Sequence, residues 1–162
     1  MSHFLTSQLD PERLCEALPL LRLALPGLDE LRWAAHCEDL VRAGGGVLAV
    51  AAADGAFHGV ALYRPQSDLR HGKVLRVDML VAYELSPASP VRAALLAALE
   101  DTCRNVKARG MVLVVPDTAL GTIGNRKSAP FERAGFRSEA SLMWRAADQY
   151  REIGTRKRAH PA

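Results

Sequence analysis

The stretch of sequence that decides the fold reads Asn-Arg-Lys-Ser-Ala-Pro-Phe-Glu-Arg-Ala-Gly-Phe and occupies residues 125–136. It predicts a short helix over about residues 126–134. Gly135 and Phe136 then lead into a predicted final strand that runs through Trp144. The quoted residues therefore predict a helix and a strand at the end of the fold.

A long helix is predicted upstream of this stretch, over about residues 90–109. Gly110 is a natural stop for it. Its apolar stripe consists of Leu95, Leu99, Cys103 and Val106. Strands rich in apolar residues are predicted on either side, over residues 73–81 and 111–115. Because strands joined by a crossover helix lie parallel, we expect these two strands to be parallel neighbours.

An antiparallel hairpin is predicted before these strands. Residues 47–53 and 57–64 form its two strands, and the turn lies at residues 53–55. Residues 65–68 close the pair, since they contain proline and small polar residues. The hairpin and the parallel pair together predict a mixed, mostly antiparallel sheet.

Two helices are predicted at the start of the chain. The first begins at Asp10, whose side chain can cap free N–H groups ahead of Pro11, and Pro19 breaks or kinks it. The second covers about residues 28–43 and ends at the glycines of residues 44–46. The predicted order is helix, helix, hairpin, strand, helix, strand, helix, strand.

The composition is typical of a soluble globular protein. The chain has 162 residues, of which 49% are hydrophobic and 24% are charged. We predict a single domain over residues 1–150 and a basic tail over residues 151–162. The net charge is only +3, and much of the excess lies in that tail, so nucleic acid is not an expected partner.

Neither a membrane nor an oxidising compartment is expected from the sequence. The longest nearly apolar stretches, residues 47–53 and 111–115, fall short of the roughly 18 residues that a membrane span needs. The chain begins without a basic region ahead of an apolar run, so no signal peptide is predicted. The three cysteines have no CxxC spacing, which argues against a disulfide framework and a zinc site. We therefore expect a cytoplasmic protein without a metal.

The element order and the stretch at residues 125–136 resemble the GNAT superfamily of acyl-coenzyme-A-dependent N-acyltransferases. In that family an Asn is followed by a short helix that ends Phe-Tyr-Glu-Arg-x-Gly-Phe. Residues 77–81 and 94–100 resemble the strand and the helix that flank the pyrophosphate of the coenzyme. The resemblance covers roughly residues 47–144.

This resemblance implies a fold, a co-substrate and an acceptor. The fold is α/β, or α+β in some schemes, with a central sheet flanked by helices on both faces. The co-substrate is acetyl-coenzyme A, and the acceptor is an amine on a small molecule or a peptide. Relatives often pair, so a homodimer is possible.

The coenzyme-binding residues implied by the resemblance lie at the strand end and at the following helix start. They are Met79, Leu80, Val81, Ser89, Val91, Arg92, Ala93, Asn125 and Phe131. The family has glycines in its phosphate loop, whereas residues 85–92 contain none. The free N–H groups of a helix start can still attract a diphosphate. Arg92 would oppose the helix dipole there by roughly 0.3–1 kcal/mol unless an anion is bound, although a salt bridge to Glu84 or solvation also explains it.

The candidate catalytic residues are Asp78, the backbone of Leu80, and Tyr83. In the family a backbone N–H at the strand end stabilises the thioester oxygen, which is the role expected for Leu80. Asp78 is the candidate base, because aspartate is poorly suited to a strand interior, and its side chain should share a face with Arg76 and Leu80. An ion pair with Arg76 or another arginine explains Asp78 as well.

The family's tyrosine, which protonates the leaving thiolate, corresponds to Phe131 in this chain. Phenylalanine cannot donate a proton, and Tyr83 is a possible substitute. Glu84 is a second candidate base, while His71 is expected to be exposed. For Asn125, a helix cap is an alternative to a coenzyme contact. Core positions are expected for Trp33, Cys103 and Trp144.

The sequence thus predicts an N-acyltransferase that transfers an acetyl or other acyl group from coenzyme A to an amine. The missing glycines and the missing tyrosine leave an alternative, in which a GNAT-like domain of impaired activity senses acyl-coenzyme A or binds a protein. A weaker third possibility is a nucleic-acid accessory protein that uses its basic tail.

Overall fold

The structure, a computed structural model, describes residues 4–83, 90–114 and 129–139. The chain forms two compact units, which span residues 1–116 and 117–162. The division into a domain over residues 1–150 and a tail stays a prediction.

The first unit is built on a five-stranded sheet in the order β1-β2-β3-β4-β5. Its strands are β1 (Leu5–Gln8), β2 (Gly46–Ala51), β3 (Phe57–Asp68), β4 (Gly72–Ala82) and β5 (Met111–Leu113). The pairs are antiparallel except for β4 and β5, which are parallel. The mixed, mostly antiparallel sheet and its parallel pair are therefore confirmed.

The helices of the first unit are a 3₁₀ helix (Pro11–Ala17), α1 (Leu18–Ala24), α2 (Glu30–Arg42) and α3 (Pro90–Asn105). The second unit contains α4 (Ala129–Arg133) within the described ranges. None of the helices in those ranges combines the length and the apolar character that a membrane crossing requires.

The sheet is covered on both faces. The 3₁₀ helix, α1 and α2 pack on one face, which we call the α1/α2 face. Its core consists of Leu9, Leu14, Ala17, Leu18, Leu20, Leu21, Trp33, Cys37, Leu40, Val47, Ala49, Val60 and Leu62. The alternate strand residues Leu48, Val50 and Ala61 are also buried and point to the opposite face, where α3 packs on β2, β3 and β4. Helices on both faces were expected and are confirmed.

The sequence does not predict β1. Three of its four residues are exposed, so the strand lacks the apolar alternation that marks a half-buried strand. It is held by antiparallel backbone pairing with β2, from Leu5 opposite Ala51 to Gln8 opposite Leu48.

The predicted end of the second hairpin strand at Arg64 is wrong. β3 continues through Pro65 to Asp68 and pairs with β4 along this length. Pairing with β2 stops at Tyr63, so Pro65 lies where β3 has β4 alone as a neighbour. Proline lacks an N–H donor and is tolerated at such an edge.

The turn between β3 and β4 therefore lies at residues 68–72, where Gly72 has a φ of 75°. The Asp68 carboxylate accepts hydrogen bonds from the backbone N–H groups of Arg70 and His71, both at 2.8 Å. The His71 and Arg70 N–H groups hold the pKa of the Asp68 carboxyl below its ordinary value, because they stabilise its charged form. His71, expected to be exposed, is half-buried.

The first predicted helix is a 3₁₀ helix followed by α1, and the change occurs beside Pro19 as expected from a helix-breaking residue. Asp10 does precede the 3₁₀ helix, but its side chain makes no capping hydrogen bond, so its predicted capping role is wrong. The Asp29 carboxylate caps α2 instead, accepting from the Arg32 N–H at 2.8 Å.

The long helix ends at Asn105, four residues before the predicted end at Arg109. Lys107 adopts a left-handed backbone with a φ of 55°, and its N–H donates to the Arg104 carbonyl at 3.0 Å. This helix end is usually made with glycine. The predicted stop at Gly110 is therefore wrong, because a lysine provides the terminating conformation earlier.

Candidate functional site

β4 contains a bulge at Asp78. Leu62 of β3 pairs with Met79, whereas Tyr63 pairs with Val77, so Asp78 has no partner on β3. A bulge bends its strand, and such bulges are frequent beside active sites. The strand on which the sequence places most of the candidate site is therefore irregular at its candidate base.

The bulge determines where the Leu80 backbone points. The Tyr83 N–H donates to the His58 carbonyl of β3 at 2.7 Å. In an antiparallel pair every second residue directs its backbone groups to the partner strand. Leu80 lies three residues before Tyr83, which is an odd number, so its N–H points away from β3. If the same residues formed a regular strand without the bulge, the Leu80 backbone would point toward β3 instead.

Pairing between β4 and β5 stops before Leu80. The register covers Leu75 to Val77, and the Val114 N–H donates to the Val77 carbonyl at 3.0 Å. Within the described residues this is the last bond between the two strands. Among the described residues, no strand pairs with β4 beyond Val77 on this side, and the Leu80 N–H lies on this stretch, which we call the open edge of β4.

The start of α3 lies beside the end of β4. Gly59 makes this approach possible, because a β-carbon there would lie 2.6 Å from Val91 Cγ1 and 3.3 Å from the Val81 carbonyl oxygen. Val91 is 1% exposed and packs on this bare backbone. Its neighbours Arg92 and Ala93 belong to the same first turn, so the predicted coenzyme residues of β4 and α3 are brought together.

The Asp78 carboxylate contacts two arginines. Its Oδ1 lies 2.6 Å from Arg76 Nε, and its Oδ2 lies 3.0 Å from Arg64 Nε. Arg64 lies two residues after Leu62 on β3, so the two side chains point to the same face of the sheet. Because Leu62 belongs to the α1/α2 core, the three charged side chains lie on the α1/α2 face. The predicted ion-pair alternative is therefore observed, while the role of Asp78 as a base stays a prediction.

The predicted face is wrong for Leu80. Met79 and Val81 pack against the α1/α2 core, so the Leu80 side chain between them points to the α3 face. Asp78 and Met79 are consecutive yet lie on the same face. The cause is the bulge, which breaks the alternation on which the prediction relied.

Tyr83 borders an open groove of about 470 Å³ between α1 and the end of β4. Its side chain is 50% exposed. The other lining residues are Glu16, Pro19, Leu20, Leu23, Gly55 and Phe57. The groove is largely apolar, and both oxygens of its Glu16 carboxylate accept hydrogen bonds from Arg13, at 2.9 and 2.8 Å.

In the second unit, the quoted motif forms a helix end stabilised by its own residues. The Gly135 N–H donates to the Glu132 carbonyl at 2.9 Å, and the Phe136 N–H donates to the Phe131 carbonyl at 3.0 Å. Gly135 has a φ of 86°, and the rings of Phe131 and Phe136 meet edge to face with centroids 6.4 Å apart. This is a Schellman motif with its apolar contact. Its glycine and both phenylalanines thus have structural roles.

Three predicted site residues, Glu84, Ser89 and Asn125, lie outside the described residues, as do Trp144 and the final strand. The core position expected for Trp33 is confirmed, since it is 3% exposed and its Nε1 donates to the Leu14 carbonyl at 2.9 Å. Within the ranges that the structure describes, no cluster of three His, Cys, Asp or Glu residues is placed to hold a metal.

Cys103 is partly buried on α3, and burial raises the pKa of its thiol, as expected for a packed residue rather than a nucleophile. Burial, helped by the neighbouring Cys15, raises the pKa of Cys37 to about 11. Arg64 is the site residue that sequence reasoning did not name. The turn at residues 68–72 places it directly opposite Arg76.

Comparisons with known proteins identify the fold. No family model and no curated protein matches the sequence. Solved structures do match, among them the aminoglycoside N-acetyltransferase AAC(6')-Iy in complex with coenzyme A, at 20% identity and a TM-score of 0.74, covering 91% of this chain and 97% of that one.

An acetyltransferase of Trypanosoma brucei matches at 21% identity and a TM-score of 0.67, over 89% of this chain and 99% of its own. The ribosomal-protein-alanine N-acetyltransferase of Brucella melitensis matches at 18% identity and a TM-score of 0.65, with the same coverage of 89% and 99%. The fold that the GNAT resemblance predicts is therefore confirmed.

Proposed function

We propose, from this acetyltransferase fold, that the chain is an N-acyltransferase that moves an acetyl or other acyl group from coenzyme A to an amine. The observation that carries the proposal is the bulge at Asp78, which turns the Leu80 N–H to the open edge of β4 beside the first turn of α3. Solved proteins of the same fold bind coenzyme A and a coenzyme-A bisubstrate analogue.

The first turn of α3 suits the diphosphate of coenzyme A. The backbone N–H groups of Val91 and Arg92 lie in the first turn of α3, where such groups point out of the helix end toward a bound anion. The positive end of the helix dipole and the Arg92 guanidinium add positive charge. Since α3 has 16 residues, its N-terminus carries the full dipole effect without any glycine in the preceding loop.

The acyl group would then lie along the open edge of β4. The nitrogen of the acceptor attacks the thioester carbon, the C–S bond breaks, and the thiolate leaves with the electron pair. The Leu80 N–H donates to the carbonyl oxygen as it gains charge, which is worth roughly 2.7–4 kcal/mol for one such donor. Met79 and Val81 hold this amide in place through their packing against the α1/α2 core.

The proton of the attacking amine needs an acceptor, and Asp78 stays our candidate for that role. Its two oxygens face arginines, so a proton transfer through a water molecule is easier to accommodate than direct contact with the amine. The leaving thiolate has an ordinary pKa near 8.5, so it departs near neutral pH without an acid. Tyr83 lines the groove at the end of β4 and is the candidate donor if one acts.

A thermal-shift experiment tests the proposal. Acetyl-coenzyme A or coenzyme A at about 100 times its dissociation constant should add about 2.7 kcal/mol to the free energy of unfolding. For a chain of this size that corresponds to a rise in Tm of about 5–10 °C. ADP, which has the adenosine and the diphosphate of the coenzyme but lacks its pantetheine arm, should give a smaller rise. No shift with millimolar acetyl-coenzyme A would rule out coenzyme binding.

A sensor of acyl-coenzyme A is the second candidate function. It is favoured by the engagement of both Asp78 oxygens with arginines and by phenylalanine at position 131, where the family has a tyrosine. Release of free thiol from acetyl-coenzyme A across a panel of amines separates the two functions. A melting shift without thiol release above the rate without amine identifies a sensor.

Two finer points belong to the same proposal. We place the protein in the cytoplasm, because its three cysteines are free. We also infer that two chains form a homodimer, because members of the GNAT superfamily often do. Sedimentation of the purified chain tests the pairing, and a mass of one chain at micromolar concentration contradicts it.

A further inference from the structure

Arg64 and Arg76 compete for a single carboxylate. Asp78 is the acidic partner of both, at Nε to oxygen distances of 3.0 and 2.6 Å. Two guanidinium groups and one carboxylate leave one positive charge in excess. Among the residues that the structure describes, neither arginine forms an ion pair with a second carboxylate. The cluster is therefore short of one negative charge.

The contact between Arg64 and Asp78 is poorly aligned. Arg64 Nε and Asp78 Oδ2 are 3.0 Å apart and both are buried, yet neither makes a hydrogen bond. The N–H of Arg64 is thus not directed at that oxygen. A second contact, from Arg64 Nη2 to Asp78 Oδ1, is long at 3.5 Å. Arg64 is consequently the arginine that another anion can engage most easily.

Both arginine side chains reach solvent, whereas the carboxylate lies beneath them. Arg64 is 36% exposed and Arg76 is 27% exposed, compared with 15% for Asp78. Arg76 contacts Asp78 through Nε, and within the described part of the chain the terminal nitrogens of its guanidinium remain as donors. The planar guanidinium fork matches the two oxygens of a carboxylate or a phosphate.

The cluster lies on the acceptor side of the proposed reaction. The diphosphate end of the coenzyme is assigned to the start of α3, beside Val81, at the carboxyl end of β4. Asp78 precedes Leu80 along β4, and Arg76 lies further in the same direction, away from the end of the strand. An amine that reaches the thioester from the side free of coenzyme therefore passes the arginines.

We propose that Arg64 and Arg76 bind an oxyanion, a carboxylate or a phosphate, carried by the acceptor several ångströms from its reacting amine. This inference rests on the proposed transferase function. The acceptor is thus an amine with an anionic group, such as an amino acid, a short peptide with a free carboxyl end, or a phosphorylated amine. When no acceptor is bound, the Asp78 carboxylate is the anion that pairs with the two arginines.

Binding of inorganic phosphate tests the site without any turnover. Phosphate is titrated in the presence of saturating coenzyme A, at constant ionic strength set with chloride, and Tm is followed. Arg64→Gln should weaken phosphate binding at least tenfold, and Arg64→Lys should weaken it less because the charge remains. Asp78→Asn should tighten phosphate binding, since it removes the competing carboxylate. Arg42→Gln, which removes an exposed arginine paired with Asp39 on α2, is the control and should bind as the parent does.

Matched acceptors test the specificity. Phosphoethanolamine is compared with ethanolamine, and a dipeptide with its C-terminal amide, by thiol release from acetyl-coenzyme A. The anionic member of at least one pair should have a kcat/KM at least tenfold higher, and the favoured pair distinguishes phosphate from carboxylate. Arg64→Gln and Arg76→Gln should remove that preference, so that the two members of the favoured pair have kcat/KM values within about twofold of each other in each variant.

The outcomes separate the two proposals. If coenzyme A gives no shift in Tm, the transferase proposal is rejected. The phosphate titration then still tests whether the two arginines bind an anion. Equal phosphate binding by the parent, Arg64→Gln and Arg64→Lys overturns the anion site. Turnover without preference for the anionic acceptors overturns it as well, even if the transferase is active. If Arg76→Gln fails to fold, the two Arg64 variants carry the test, because that side chain is more exposed.

Discussion

At the scale of single residues, the candidate site depends on what surrounds one aspartate and one glycine. Asp78 is predictable as unusual, since a carboxylate inside a strand needs a partner, and the arginine alternative follows from its neighbours. Arg64 is harder to foresee, because its position opposite Arg76 depends on the turn at residues 68–72 and on the continuation of β3 through Pro65. Local sequence favours a strand end at that proline.

Replacing the candidate base should slow acyl transfer and leave coenzyme binding intact. Asp78→Asn removes the carboxylate but keeps the shape of the side chain, so kcat/KM for a neutral amine should fall roughly tenfold or more. The melting shift with acetyl-coenzyme A should persist. Asp39→Asn is a matched control, because Asp39 also pairs with an arginine but lies exposed on α2. Unchanged turnover in Asp78→Asn removes this residue from the mechanism.

Adding one methyl group at Gly59 should disturb the start of α3. The new β-carbon would lie 2.6 Å from Val91 Cγ1, and the short branched valine cannot move away without shifting the helix. Gly59→Ala should cost about 1–3 kcal/mol of stability and weaken coenzyme A binding severalfold. Gly27→Ala is the control, since no atom lies within 4 Å of a β-carbon there. Equal Tm values and affinities for the two variants would show that Gly59 does not position α3.

The thiol of Cys37 should make stability depend on alkaline pH. Its pKa is raised by burial to about 11 in the folded chain, above the ordinary value near 8.5. A raised pKa means that the folded state favours the neutral thiol, so this stabilisation is complete below about pH 8.5 and is lost as pH approaches 11. Denaturant unfolding at pH 8 and pH 10.5 should show a smaller loss in Cys37→Ala than in the parent. Cys15→Ala, at an exposed cysteine, should lose nearly as much stability as the parent, because burial is a larger cause of the raised Cys37 pKa than Cys15 is.

At the scale of helices and strands, periodic patterns predict the elements that bury a face and miss the others. α2, α3 and the hairpin follow from apolar spacing and glycine stops. β1 is held by backbone pairing with mostly exposed side chains, so no periodicity reveals it. α3 ends early because Lys107 adopts a left-handed conformation, for which glycine is the ordinary choice. A sequence rule that looks for glycine therefore places the helix end at Gly110, which is too late in the chain.

The end of α3 can be stabilised by one substitution. Lys107 has a φ of 55°, which costs a residue with a β-carbon roughly 1 kcal/mol relative to glycine. Lys107→Gly should therefore raise Tm by about 2–4 °C. Lys107→Ala removes the same charge but keeps the β-carbon, and it should give no gain. A similar rise in both variants would attribute the effect to charge instead of backbone strain.

At the scale of the whole molecule, the fold and the parallel pairing of β4 with β5 follow from the order of elements, whereas the distribution of charge decides between partners. Residues 151–162 contain four basic residues and one acidic residue, an excess of three positive charges. The whole chain also carries a net charge of +3, so residues 1–150 are neutral overall. A general attraction to nucleic acid would have to come from the last twelve residues.

Removing that segment should separate nonspecific binding from the proposed function. A chain that ends at Tyr150 should lose any salt-dependent affinity for duplex DNA, because this affinity depends on the number of cations that contact phosphates. The melting shift with acetyl-coenzyme A should be retained. Salt-sensitive DNA binding by the shortened chain, measured by fluorescence anisotropy, would revive the nucleic-acid hypothesis.

The single unpaired residue at position 78 also divides β4 into two segments of opposite phase. Before it, odd-numbered side chains such as Val77 point toward α3; after it, odd-numbered side chains such as Met79 point toward α1 and α2. If the same residues formed a regular ladder instead, Leu62 would pair with Asp78, and the last four residues of the strand would exchange the two faces of the sheet. The bulge thus absorbs one extra residue without changing which side chains of β4 reach each layer of helices.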